Sequence, residues 1–255
     1  MIEITNSNLE EINIFKNVKD KNLINKGLAI AESEKVVLKA LHSKFSVHAT
    51  LSTKDFYEEN REVIDSKTSK AFTASKEVME EIVGYNLHHG VMALIELPDF
   101  STLDNLGDKI LIFNGVMSAE NVGTMTRAAL AFGFDSIIFD YKSASPYLRR
   151  CIRVSMGNVF EVKIARSEYL PRTITKLQDR GYQVFATANE DGAISIKEIK
   201  YPVKTCIIIG NEGNGMDREV IDACDQKLFI PISNYVAHLN AASAASIFLY
   251  HSLES

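Results

Sequence analysis

The amino-acid sequence predicts an α/β fold: a parallel sheet covered by helices in the C-terminal part, preceded by a smaller α/β segment. Three observations predict it. Short, almost continuously apolar runs recur between residues 109 and 231, as parallel strands buried on both faces require. Helical patterns separate these runs. Polar, glycine- or proline-bearing loops sit at or just after three strand ends: Asn121-Val122-Gly123-Thr124-Met125-Thr126-Arg127, Gly210-Asn211-Glu212-Gly213-Asn214-Gly215, and Ile230-Pro231-Ile232 through His238-Leu239-Asn240. In open α/β sheets, ligands bind at the carboxyl ends of strands.

Taken in order, residues 6–31 read as helical and lead into the apolar run 36–41. A strand follows at 45–50, then a helix at 75–82 and a strand at 91–95. The turn-rich, aperiodic stretch 97–104 marks a boundary, which gives domains at 1–100 and 107–255. Strands are expected at 109–113, 136–140, 160–164, 182–186, 205–209 and 229–231. The helical patterns between them lie near 121–133, 146–156, 168–180, 216–224 and 240–251.

Composition narrows the functional classes. The 255 residues are 46% hydrophobic and 24% charged, ordinary values for a globular chain. No apolar run approaches the roughly 18 residues of a membrane span. Residues 1–6 lack the basic and apolar regions of a secretory signal, so a cytoplasmic location is expected. Cys151, Cys206 and Cys224 have no CxxC spacing and leave one thiol over, which argues against a disulfide framework or a metal site. The net charge of −5 does not by itself predict a nucleic-acid partner. Lys142, Arg149, Arg150 and Arg153 nevertheless gather in one segment with Arg127 near in sequence, as a phosphate-docking patch or a solvated helix face.

Each loop suggests chemistry. Asn121 suits a helix N-cap. Val122, Met125, Ala129 and Phe132 form one apolar stripe, which leaves Arg127 facing away from the core. The second loop has neither G-x-G-x-x-G nor G-x-x-x-x-G-K spacing, so a phosphate cradle and a dinucleotide-dependent oxidoreductase are poorly supported. Such a loop suits a neutral or cationic ligand held by backbone groups, with Glu212 adding one negative charge. Asn240 precedes a run of small residues, Ala241 to Ser246, that allows close packing. His238 alone reads as a structural histidine.

At these residues the chain resembles the SpoU (TrmH) family of RNA ribose 2′-O-methyltransferases, within the knotted SPOUT superfamily. The 121–127 segment resembles the family's N-x-G-x-x-x-R motif. Ile207-Ile208-Ile209-Gly210-Asn211-Glu212-Gly213 resembles its second motif, and 230–250 its third. Ser145-Pro146 and Arg153-Val154-Ser155-Met156-Gly157-Asn158-Val159-Phe160 resemble an intervening SP…RASMGAxF segment. Ile30-Ala31-Glu32-Ser33-Glu34-Lys35 and His88-His89-Gly90-Val91-Met92-Ala93 resemble the ends of its N-terminal substrate-binding domain, which has a ribosomal-protein-like RNA-binding fold.

The resemblance implies a parallel sheet with a C-terminal trefoil knot, a homodimer, and transfer of a methyl group from S-adenosylmethionine to RNA, ribosomal RNA rather than tRNA. It implies cofactor contacts at Ala186 or Thr187, Gly210, Ile230 and Leu239. Asn121, Arg127, Glu212 and Asn240 are its catalytic positions, with Arg127 at the target nucleotide; Arg149, Arg150 and Arg153 of the basic segment, together with His88, are further expected RNA contacts. A guanidinium stays protonated, so Arg127 is expected to clamp a phosphate and stabilise a developing alkoxide. Two positions depart from the family pattern: His238 stands where a serine is usual, and Ser118-Ala119 where Asp-Pro is usual. His238 is either a tolerated substitution or a proton acceptor, since histidine titrates near neutrality. The alternative function is a catalytically silent RNA-binding paralogue of the same fold.

Overall fold

The computed structural model describes residues 1–16, 19–87 and 90–253. The chain divides into two compact units, Met1–Asp99 with Tyr147–Phe160, and Phe100–Pro146 with Glu161–Ser255. Residues 147–160, which the sequence groups with 107–255, therefore lie in the first unit.

In the first unit, chain order is β1 (Ile2–Glu3), α1 (Asp20–Ile24), β2 (Leu28–Glu32), α2 (Glu34–His42), β3 (Val47–Ser52), α3 (Lys54–Glu59), α4 (Arg61–Lys67), β4 (Ala71–Thr73), α5 (Lys76–Val83) and β5 (Val91–Glu96). Among the described residues the sheet runs β1-β4-β3-β5-β2. β5 is antiparallel to both β2 and β3, whereas β4 is parallel to β1 and β3. One face buries Ile30, Leu51, Phe72, Met92 and Leu94 against Ile12, Phe15, Met79 and Ile82.

The helix expected over 6–31 is not continuous. It breaks into a 3-10 turn at Glu10–Phe15, the short α1, and strand β2. Gly27, at φ +70°, turns the chain out of α1, a conformation that costs a side-chain-bearing residue. Beyond it, Leu28–Glu32 is pulled into the ladder with β5. The segment 147–160 packs on this unit through Phe45, whose ring lies 5.1 Å from Phe160 and 6.4 Å from Tyr147.

The second unit holds β6 (Lys109–Asn114), α6 (Ala119–Ala131) and β7 (Ser136–Asp140); α7 (Arg149–Val154), next in the chain, belongs to the first unit. There follow β8 (Lys163–Ser167), α8 (Leu170–Gln178), β9 (Gln183–Thr187), β10 (Ile194–Ser195), β11 (Thr205–Gly210), α9 (Arg218–Ala223), β12 (Gln226–Phe229) and α10 (Ala241–His251). The sheet order is β10-β12-β9-β11-β6-β7-β8, and each adjacent pair is parallel. Two expected strands shift. Phe160 closes a 3-10 turn and is buried, so the strand begins at Lys163. The last strand ends at Phe229, ahead of Pro231, which has no N–H to give a ladder.

Ile110, Leu111, Ile112 and Phe113 on β6, with Cys206, Ile207 and Ile208 on β11, are fully buried, as strands covered on both faces must be. Ile110, Ile112 and Ile208 pack with Leu170, Ile174 and Leu177 of α8. Burial pushes the Cys151 and Cys224 thiols up to about 12 and raises that of Cys206 as well, so all three are weak nucleophiles. The register pairs Gly210 of β11 with Asn114 of β6, which sets two loop-bearing strand ends side by side. Replacing Ile208 by alanine is expected to cost about 2–5 kcal/mol and Ile208→Val about 0.5–1.5 kcal/mol, read from denaturant unfolding of both variants.

Candidate active site

The first loop feeds α6. The sequence places Asn121 at the helix N-cap, but the structure gives that role to Ser118, whose Oγ accepts from the Asn121 N–H at 3.2 Å. A serine hydroxyl is as good a cap as an asparagine amide. Asn121 therefore sits in the first turn with its side chain free for other work. Val122, Met125 and Ala129 are buried as the stripe requires, while Phe132 is only partly so. Arg127 lies on the opposite, exposed side and makes no hydrogen bond or ion pair among the described residues.

The second loop leaves β11 at Gly210. A Cβ there would fall 2.8 Å from the Met216 nitrogen and 2.9 Å from the Gly215 carbonyl carbon, so no larger residue fits without moving backbone. The loop closes on itself: Asn211 N–H donates to the Gly215 carbonyl at 2.9 Å, and Gly215 N–H to the Asn211 carbonyl at 3.1 Å. Asn211 Oδ1 accepts from the Gly213 and Asn214 N–H groups, both at 2.9 Å. Its Nδ2 donates to the Gly115 carbonyl at 2.7 Å, which ties the loop to the end of β6.

A second brace holds the loop's far end. Asn114, 2% exposed, donates through Nδ2 to Asp140 at 3.0 Å and Asp217 at 2.9 Å, and accepts from the Asp217 N–H at 2.7 Å. Asp140, also buried, accepts from the Gly115 and Ser143 N–H groups at 3.1 and 2.8 Å and from the Ser143 hydroxyl at 2.7 Å. Lys142 Nζ reaches Asp217 at 2.8 Å. The Asn114 amide first, and the Lys142 ammonium second, hold the Asp217 carboxyl below the usual carboxylate range.

The third loop ends at Asn240, the N-cap of α10. Its Oδ1 accepts from Ala242 and Ser243 N–H at 2.9 and 3.2 Å. Its Nδ2 donates to Asn121 Oδ1 at 3.2 Å, and Asn121 Nδ2 donates to Glu212 Oε1 at 2.7 Å. Asn121, Glu212 and Asn240, one from each sequence motif, are thus joined in a single chain of hydrogen bonds. Every bond runs the same way, from the helix terminus to the carboxylate.

Two cavities adjoin this chain. One, of about 210 Å³, is lined by Thr187, Leu228, Ile230, His238, Leu239 and Phe248 among others. The other, of about 270 Å³, includes Gly210, Glu212, Gly213 and Met216. Thr187, His238, Leu239 and Ala244 line both. Ala186 is fully buried and lines neither, so of the two expected positions the cavity wall is Thr187, whose hydroxyl donates to the Ile208 carbonyl at 2.8 Å. Among the described residues the walls carry no lysine or arginine, and Glu212 is their single carboxylate. Apolar side chains, glycine backbone and one negative charge fit S-adenosylmethionine, whose adenine is flat and whose sulfonium is cationic. They do not fit a phosphorylated nucleotide.

The expected RNA contacts behave differently. Arg149 is held in the first unit: its N–H donates to Asp20 at 3.1 Å, and its guanidinium lies 3.6 Å from Asp20 and donates to the Tyr85 hydroxyl at 2.6 Å. Arg153 lies 3.7 Å from buried Glu32. These arginines fasten α7 within its unit, and they are not an unengaged patch. Burial first, then Glu32, pushes the Tyr85 phenol up to about 12. Arg150 is exposed in the same unit, and His88 falls outside the described residues. Sequence reasoning misses Asn114, Asp140 and Asp217, and names Ser118 and Asn211 without their roles as helix cap and loop brace; a polar residue at a buried strand end, as at Asn114 and Asp140, is the available signal.

The SpoU rRNA Methylase family model matches residues 108–250. The chain is 28% identical to an uncharacterized tRNA/rRNA methyltransferase of Mycobacterium tuberculosis, over 90% of this chain and 82% of that protein. It is also 28% identical to the 23S rRNA (guanosine(2553)-2′-O)-methyltransferase RlmP of Bacillus subtilis, over 87% of each chain. The crystal structure of an AdoMet-bound rRNA methyltransferase from Sinorhizobium meliloti superposes with a TM-score of 0.87 at 22% identity, over 99% of this chain and 97% of that one. With more than half its length matched by the family model, and the three motif segments meeting at one site, the chain belongs to the SpoU rRNA Methylase family.

Proposed function

We propose that this protein transfers the methyl group of S-adenosylmethionine to a ribose 2′-hydroxyl of RNA, ribosomal RNA in preference to tRNA, as a cytoplasmic homodimer. The observation that carries the reading is the Glu212–Asn121–Asn240 chain, which joins the three family motifs beside cavities whose one carboxylate among the described residues is Glu212. A silent relative would have no need to keep this arrangement together with an unengaged Arg127. The 23S rRNA specificity of the Bacillus subtilis relative and a separate N-terminal unit favour ribosomal RNA. Dimerisation is supported by Ile247 and Tyr250 of α10, left 40% and 53% exposed. The packing of α10 on α6 and β11 is in keeping with the family's knot.

Bound in the cavities, S-adenosylmethionine supplies an electrophilic methyl group on a positively charged sulfur. The protein's part is to position and to stabilise. The closed 211–215 loop presents backbone already ordered, so little entropy is lost on binding. Glu212 places negative charge beside the cavity wall. Asn121 and Asn240 fix the orientation of that carboxylate. Arg127 clamps a phosphate of the RNA through its planar fork and offsets the charge that develops as the hydroxyl loses its proton. His238, on the shared wall, is the titratable group available to take that proton.

Calorimetric titration with S-adenosylmethionine is expected to show one saturable site per protomer, with tritium-methyl transfer to ribosomal RNA; no binding would leave only the silent paralogue. Arg127→Lys is expected to lower transfer about 10²-fold or more while leaving cofactor affinity unchanged, and near-parental turnover would remove the bidentate clamp. The half-exposed Lys142–Asp217 pair is worth about 0.2–1 kcal/mol, so Lys142→Met should weaken cofactor binding no more than about fivefold. Asp217 is depressed, so its brace is complete above the ordinary carboxylate range and fails only as pH falls through the lowered value. The Lys142 amine is raised, chiefly by its hydrogen bond to Asp217, and its contribution fails only in strong alkali. The factor by which Lys142→Met weakens cofactor binding should therefore stay constant between roughly pH 5 and pH 9. A transfer rate that changes across neutrality in the parent protein and no longer does so in His238→Gln supports His238 as proton acceptor; a rate that stays flat in the parent removes it.

A further inference from the structure

A third cavity, of about 370 Å³, opens at the carboxyl ends of β6 and β7 and the start of α8. It shares no lining residue with the two cofactor cavities. Two tyrosines on its wall are unusually exposed for large aromatic side chains, Tyr141 at 63% and Tyr169 at 55%. Each has a neighbour that limits its freedom. The Tyr169 hydroxyl donates to Glu219 at 3.0 Å. The Lys142 ammonium, itself fixed on Asp217, lies 5.9 Å from the centre of the Tyr141 ring. Exposed rings restrained in this way are aromatic surface prepared in advance for a partner, with little entropy left to lose.

The charge of the wall says what kind of partner. Asp140, Glu168, Asp217 and Glu219 outnumber Lys142 and Arg218, so a phosphate is repelled. The Glu219 carboxylate accepts one hydrogen bond from Tyr169, and carboxylates have room for several. A flat aromatic ligand whose edge carries N–H donors satisfies both features. In RNA that is an unstacked base, and recognition of single-stranded RNA proceeds by stacking on aromatic side chains with hydrogen bonds to the base edge.

We propose that this cavity holds a base of the RNA substrate, outside the methyl-transfer site, stacked against Tyr141 and Tyr169 and read along its N–H edge by Glu168 and Glu219. The assignment rests on the reading of the chain as an RNA methylase and adds a second point of contact, one that selects for guanine over uracil because guanine presents adjacent N1–H and N2–H donors. It places substrate discrimination partly on residues that touch neither the cofactor nor the reacting hydroxyl.

The test uses the full chain with Tyr141→Ala, Tyr169→Ala, the double variant and Tyr169→Phe. Binding of fluorescein-labelled, single-stranded, guanine-containing oligoribonucleotides is followed by anisotropy, with the nucleosides guanosine and uridine as competitors. Removal of both rings is expected to raise the Kd by about 5- to 150-fold, the range of one stacked base. Tyr169→Phe, which keeps the ring and loses the Glu219 tether, should fall between. Guanosine should compete better than uridine against the parent protein and lose that advantage in the double variant. An unchanged Kd in the double variant overturns the proposal, as does a parent protein that binds none of these probes. Calorimetry with S-adenosylmethionine decides the enzymatic reading separately: a protein that binds cofactor and methylates ribosomal RNA equally well with and without the two rings keeps its proposed function and loses this site.

Discussion

A parallel sheet ends in loops whose backbone groups have left the ladder, and each of those groups needs a partner before a loop can hold one shape. At the end of β6 that need is met by side-chain amides. Asn114 gives both hydrogens to carboxylates and takes one from the Asp217 backbone, while Asn211 reaches back to the Gly115 carbonyl. An amide gives two hydrogens and accepts as well, whereas a hydroxyl gives one and an ionised carboxylate none, so one buried asparagine can bridge segments that neither could. The order of the 210–217 loop, and with it the walls of the cofactor cavities, depends on those few bonds.

The same economy appears in the basic segment. Arg149 and Arg153 look from sequence like a surface for phosphate, yet both face carboxylates in their own unit. A guanidinium beside buried Glu32 answers a charge that would otherwise be costly to hold away from water. Arg127 has no such neighbour among the described residues, which separates it from the arginines consumed by folding.

Much of the parallel-sheet unit was legible in the sequence, because strands such as 109–113, 136–140 and 205–209 carry apolar runs too short for helices and too continuous for a half-exposed sheet. The three motif loops were legible for a related reason: their polar and glycine content contradicts the apolar runs they interrupt. What sequence could not show was set by tertiary partners. Leu28–Glu32 has a composition fit for either element and becomes a strand because β5 lies open beside it. Residues 147–160 carry a helical pattern but nothing in that pattern says which unit their apolar face will meet. Ser118 and Asn121 are both able caps, and only the position of Glu212 makes one of them surplus to the helix.

The Glu212–Asn121–Asn240 chain has one further property. Because its bonds all point the same way, neither amide can flip without turning two donors or two acceptors toward each other. Its three members come from segments far apart in sequence, and the last of them also caps α10. Asn121 is the shared member, so loosening its segment frees a polar group on each of the other two. The loops around these cavities are thereby tied to one another through side chains, and the shape of that space depends on all three segments at once.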